Sequence, residues 1–144
     1  MNYDLLIMYL GIDYGKKKVG IAVGESIAFS RGFYNNNQEL FGKIVELIKG
    51  EEISVVVLGL PVKDSGQEGE LAEEIRRFGQ KLAANTSAEI VYENESDTSF
   101  ASHQELKNAG IDIRSAKTEV DGLAAEKILQ QYIDSSKFRS QISK

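Results

Sequence analysis

The sequence predicts one α/β domain built on a mixed five-stranded sheet with helices on its faces. Three observations lead there. The first 37 residues read as strand, turn, strand, strand, with no helical period among them. From residue 38 the hydrophobic period switches back and forth between helical and extended, the pattern of strands joined by crossover helices. The length of 144 residues suits a single core.

Leu5 to Asp13 is an almost unbroken apolar run, as expected of a strand buried on both faces. Gly15-Lys16-Lys17-Lys18 makes a short turn, and Val19 to Val23 returns beside the first strand as a hairpin. Ile27 to Tyr34 supplies a third strand before the polar break Asn35-Asn36-Asn37. From Gln38 to Lys49 the apolar residues Leu40, Phe41, Ile44, Val45, Leu47 and Ile48 recur at helical spacing, and Gly50 is the stop signal. Ile53 to Leu60 is another buried strand, closed by Pro61. Gly66 to Gly69 reads as a flexible loop, after which Leu71, Ile75, Phe78 and Leu82 mark a second helix. Ala88 to Glu95 is the fifth strand. Helices are expected at about Thr98 to Asn108 and from Glu119 to Ile133, and the polar tail 135–144 is expected to be flexible.

Composition narrows the function. Hydrophobic content of 42% with 27% charged residues is that of a soluble globular chain. No apolar run is long enough to span a bilayer, and the first eight residues carry no basic segment of the secretory type. The absence of cysteine rules out disulfides and thiolate zinc, and fits a cytoplasmic location. A net charge of −5 opposes phosphate attraction as a whole-chain average, yet lysines concentrate at residues 16–18 while acids collect at 68–74 and 89–97.

Three carboxylates stand out. Asp13 closes a strand that should be central, on the face of Tyr9 and Gly11, with Gly11 and Gly15 leaving room for a ligand or a close backbone. A turn-capping aspartate would account for the same residue. Glu95 ends the fifth strand, where open α/β sheets place their sites, though Glu93, Glu95 and Asp97 together also suit a solvated turn. Asp121 falls on the apolar arc of the last helix with Val120, Ala124 and Ala125, whereas Glu126 and Gln130 point away from it. Thr118 to Asp121 also has the spacing of a capping box. Three acids at two strand ends and one helix start would repel one another, which Mg²⁺ or Mn²⁺ relieves. A pair of such ions about 4 Å apart activates water and steadies the leaving oxygen of a phosphodiester. The single histidine, His103, reads as a helix-surface residue and offers no competing triad.

The segment from Leu10 to Val23, Leu-Gly-Ile-Asp-Tyr-Gly-Lys-Lys-Lys-Val-Gly-Ile-Ala-Val, resembles the opening motif of the YqgF family, also called RuvX or Holliday-junction-resolvase-like proteins. Val55 to Pro61 resembles its second motif, and Val120 to Ile133 its last helix. The resemblance runs from about Met8 to Asp134. It implies a ribonuclease H-like fold, and a metal-dependent nuclease acting in 5′-end maturation of precursor 16S ribosomal RNA or, in older proposals, on DNA junctions. It also implies that Asp13, Glu95 and Asp121 are the catalytic, metal-holding acids. Since members often begin near Met8, residues 1–7 read as an N-terminal extension of the domain.

One motif departs from the family. Where the second acidic motif usually reads Asp-Glu-Arg-Leu-Thr-Thr, this chain has Asn94-Glu95-Ser96-Asp97-Thr98-Ser99. Glu95 and Thr98 are kept; the arginine, a bidentate phosphate donor, is lost to Ser96, and Asp97 adds negative charge. The residues expected to meet nucleic acid are Lys16, Lys17, Lys18, Lys63, Thr98, Arg114 and Lys117. An RNA-binding or ribosome-assembly factor of the same fold that has lost turnover is one alternative. A lone nucleotide-binding lobe is another, because Gly11-Ile12-Asp13-Tyr14-Gly15 also resembles the first phosphate motif of the sugar kinase, actin and heat-shock ATPase superfamily.

Overall fold

The computed structural model describes residues 6–61, 68–94 and 117–142; for 117–121 and 137–142 it describes the backbone alone. Five strands and three helices lie within these residues. The chain runs β1 (Met8–Tyr14), β2 (Lys18–Gly24), β3 (Ala28–Asn35), α1 (Leu40–Gly50), β4 (Ile53–Leu60), α2 (Glu70–Asn85), β5 (Glu89–Asn94) and α3 (Lys117–Ile142). The helix expected at about Thr98 to Asn108 lies outside them.

The strands form one sheet in the order β3-β2-β1-β4-β5. β1, β2 and β3 pair antiparallel, while β4 joins β1 and β5 joins β4 in parallel. Local sequence explains the split. Short turns permit only antiparallel return, whereas each parallel step needs a helix long enough to carry the chain back. The mixed five-stranded sheet flanked by helices is therefore as the hydrophobic periods predict.

Residue alternation divides the core between two faces. Leu10, Ile12, Val19, Ile21, Val56 and Leu58 pack with Ile44 and Ile48 of α1 and Ile75 and Leu82 of α2. On the opposite face Ala22, Ala28 and Val57 pack with Ala125, Ile128, Leu129 and Ile133 of α3. One helix thus covers the face that carries Tyr9, Gly11 and Asp13.

Several boundaries differ from the sequence pattern, each for a local reason. The apolar run suggested a first strand from Leu5, but β1 begins at Met8, where its pairing with β4 begins at Ile53, and Leu6 and Ile7 stay exposed. Gly50 is the last residue of α1 rather than the turn after it. The reversal falls to Glu52, at φ 51°, after the Glu51 amide has bonded the Leu47 carbonyl. α3 continues nine residues past Ile133 to Ile142. No glycine or proline follows Ile133 to stop the backbone.

Glu126 and Gln130, which the helical wheel sets away from the apolar arc, find partners that the wheel does not reveal. Both reach the outer edge of β3. The Ser30 amide donates to Glu126 Oε2 at 3.0 Å, and the Ala28 amide to Gln130 Oε1 at 2.8 Å. Gln130 Nε2 donates to the Ser26 carbonyl at 3.1 Å. An edge strand presents unpaired amides, and a helix lying within reach of the edge satisfies them.

Candidate functional site

Asp13 is the second-last residue of β1, half-buried, with Gly20 of β2 as its antiparallel partner. On the other side the parallel register ends at Ile12 beside Leu58; carried one residue further, it sets Gly59 next to Asp13. Gly59 in turn pairs with Glu93 of β5. Across the α3 face, one row of the sheet therefore reads Gly20, Asp13, Gly59, Glu93. Glycine on both sides means that neither flanking strand places a side chain next to the carboxylate. This row lies at the carboxyl ends of the parallel strands, where α/β sheets build their sites.

The direction of α3 follows from two contacts. Tyr132 lies edge-on to Tyr9, with ring centroids 6.0 Å apart. Farther along β1, Gly11 is so close under the helix that an added Cβ would stand 2.7 Å from Leu129 Cβ and 3.1 Å from the Ala125 carbonyl. Moving from Tyr9 to Gly11 on β1 thus means moving from Tyr132 toward Ala125 on α3. The helix runs antiparallel to the strand. Four strand residues from Tyr9 to Asp13 cover about 13 Å, and eleven helical residues from Tyr132 to Asp121 cover about 16 Å. The backbone at Asp121 accordingly lies at the Asp13 end of the sheet. Its side chain, like all of Glu95, lies outside the described residues; β5 ends at Asn94, immediately before Glu95.

Among the described residues, no group of three or more His, Cys, Asp or Glu side chains is assembled to hold a metal. What is described are the oxygen donor Asp13 and the two elements that lead to the other acids. Asp13 suits a hard cation by its chemistry, since carboxylate oxygen is the preferred donor for Mg²⁺ and Mn²⁺.

Of the basic residues expected to meet nucleic acid, Lys16, Lys17 and Lys18 are described at the β1–β2 hairpin. Lys16 and Lys17 are exposed in the turn, which is closed by the Gly15 amide donating to the Lys18 carbonyl at 3.0 Å. Lys18 sits on the α3 side of β2 with its Nζ 4.5 Å from the centroid of the Phe33 ring. Lys117 opens α3, with its side chain outside the described residues. Lys63, Thr98 and Arg114 also lie outside them.

Sequence reasoning missed Glu93 as a member of the Asp13 row. Gln131 Nε2 of α3 donates to Glu93 Oε2 at 2.5 Å, joining helix to sheet beside the row. It also missed Phe33, which stands across Gly20 from Asp13. Gly20 and Gly59 were the available signal, because glycine inside a strand marks a close approach. Tyr14, next to Asp13, faces the other way. Burial foremost, then its hydrogen bond to Glu74 Oε2 at 2.6 Å, raises its phenol above the usual value.

The sequence matches the family model RuvX, described as Holliday junction resolvase, over residues 7–135. A protein of Lactococcus lactis subsp. cremoris named "Putative pre-16S rRNA nuclease" is 36% identical over 132 residues, 87% of this chain and 92% of its own. One of the same name from Sulfurihydrogenibium is 33% identical over 137 residues, 92% and 93% of the two chains. Among solved structures, the fold is similar to Thermus thermophilus RuvC in complex with a Holliday junction, with TM-score 0.57, 12% identity, and 91% and 96% of the chains covered. It is likewise similar to the fowlpox virus Holliday junction resolvase, with TM-score 0.56, 15% identity, and 90% and 99% coverage. These likenesses establish the ribonuclease H-like fold of the RuvC-type resolvases. By sequence, the chain belongs to the RuvX family.

Proposed function

We propose that this protein is a nuclease that uses a divalent cation to hydrolyse phosphodiester bonds in structured nucleic acid, with precursor 16S ribosomal RNA as substrate. The observation that carries the reading is the position of Asp13: centred in a glycine-flanked row at the carboxyl ends of parallel strands, with the start of α3 at the same end. The name shared by the relatives favours RNA as the substrate.

Asp13, Glu95 and Asp121 would hold Mg²⁺ or Mn²⁺, which when bound lowers the pKa of water and offsets charge on a phosphoryl oxygen. The chain's own residues do the rest. Gly20 and Gly59 let a phosphate backbone approach Asp13 without meeting a side chain of the neighbouring strands. Lys16 and Lys17, exposed in the hairpin turn, attract the phosphates on either side of the one that is cut.

The family description favours a DNA four-way junction as the second substrate. Ser96 and Asp97 favour a third reading, a binder without turnover. One experiment separates the three: incubation with Mg²⁺ or Mn²⁺ on precursor 16S RNA and on a four-way junction, beside the Asp13→Asn variant. The proposal expects RNA cleavage that requires metal and is lost in the variant. Junction cleavage alone selects the resolvase, and tight RNA binding with no cleavage in either metal selects the binder.

A further inference from the structure

Phe33 is a half-buried aromatic on the sheet that, among the described residues, joins neither hydrophobic cluster. Its place follows from the register. Phe33 pairs with Gly20, and Gly20 pairs with Asp13, so the two residues stand two strands apart on the α3 face, separated within the sheet by a glycine, with Gly122 of α3 packed against Ser30 and Gly32 on that face. Two strand spacings amount to about 10 Å. A bulge sets the ring there: Ala22 pairs with Ser30 but Gly20 with Phe33, so β3 gains a residue, and Gly32 takes up the extra turn at φ 82°. Without that bulge, alternation would put Phe33 on the other face. The ring is attended by the ammonium of Lys18 at 4.5 Å, on the strand that leads from the lysine turn.

An aromatic face, a cation and an acid separated by glycine are the parts of a site for one nucleotide. We infer that Phe33 is a stacking platform for an unpaired nucleobase of the substrate, and that Lys18 moves from the ring to that nucleotide's phosphate. The inference rests on the nuclease reading and adds to it that the bond cut lies beside an unpaired base. Affinities decide which partner the ring takes. Base stacking on an aromatic side chain strengthens binding about five- to 150-fold, against about two- to fivefold for an exposed ammonium. The base displaces the lysine.

The chain has no tryptophan, so Phe33→Trp introduces a single fluorescent reporter at the platform. The test uses the full chain in EDTA, so that binding is read without cleavage. A labelled single-stranded RNA oligonucleotide and a blunt duplex of the same sequence are the probes. The inference expects the single strand to quench F33W emission and the duplex not to. It also expects Phe33→Leu, which keeps an apolar side chain but loses the flat ring, to weaken single-strand binding by at least about fivefold with its melting temperature held near that of the parent. An oligonucleotide that binds F33W without quenching, or binds F33L as tightly as the parent, overturns the platform while leaving the nuclease reading intact. Parent protein that neither binds nor cleaves any nucleic acid overturns both.

Discussion

Leu129 of α3 rests directly on the backbone of β1 at Gly11, where any side chain would bring a Cβ to 2.7 Å from the Leu129 Cβ. That contact fixes the height of α3 above the central strand, and with it the height of the Asp121 backbone above the Asp13 row.

Gly11→Ala should therefore act at a distance from the residue it changes. The added methyl also meets the Ala125 carbonyl at 3.1 Å, a backbone atom that moves only with the whole helix. Overpacking of this kind costs about 1–3 kcal/mol, to be read as a lower denaturant midpoint. Divalent-metal affinity should fall with it, because α3 is lifted at the end that carries Asp121.

Asp13→Asn should abolish cleavage while leaving the fold in place. The side chain is half-buried and its two strand neighbours in the row are glycines, so the amide fits the same space. Cleavage should drop by more than about a hundredfold, as losses of transition-state electrostatics do. Circular dichroism melting should show a midpoint near that of the parent. EDTA should silence the parent protein equally, and Mn²⁺ should restore it.

Glu126 and Gln130 should be felt at the sheet edge. Replacing either by alanine leaves the amide of Ser30 or Ala28 without its side-chain partner, at a cost of about 1 kcal/mol each. Amide hydrogen exchange is the measurement: Ser30 should exchange faster in Glu126→Ala and Ala28 in Gln130→Ala, with the centre of β1 unchanged.

The alkaline limb of stability should belong in part to Tyr14. Burial and then the Glu74 carboxylate raise its folded pKa, so the folded state keeps the phenol proton after the unfolded chain has lost it. The stabilisation is complete below the unfolded value of about 10 and is lost as pH rises from there through the raised folded value. Urea midpoints taken between pH 8 and 11 should fall more steeply for the parent than for Tyr14→Phe.

Much of this architecture is legible in the residues. Strand and helix periods place all eight described elements, and the alternation Tyr9, Gly11, Asp13 identifies the face that α3 covers, because burial imposes those periods locally. What depends on register is not legible. Nothing in the segment around Phe33 announces that a bulge at Gly32 turns its ring toward Asp13, nor that Gly59 falls beside Asp13, since both follow from pairing between distant strands. Glu126 shows the same limit: its helical angle is readable, but the width of the sheet beneath it is not.

The most direct measurement is a Mn²⁺ titration followed by electron paramagnetic resonance on the parent and on Asp13→Asn, Glu95→Gln and Asp121→Asn. Three acids sharing a cation predict that each substitution alone weakens Mn²⁺ binding by more than about tenfold, on the scale of lost metal-site interactions. Parent-like affinity in Glu95→Gln or Asp121→Asn would contradict the convergence of those carboxylates on Asp13.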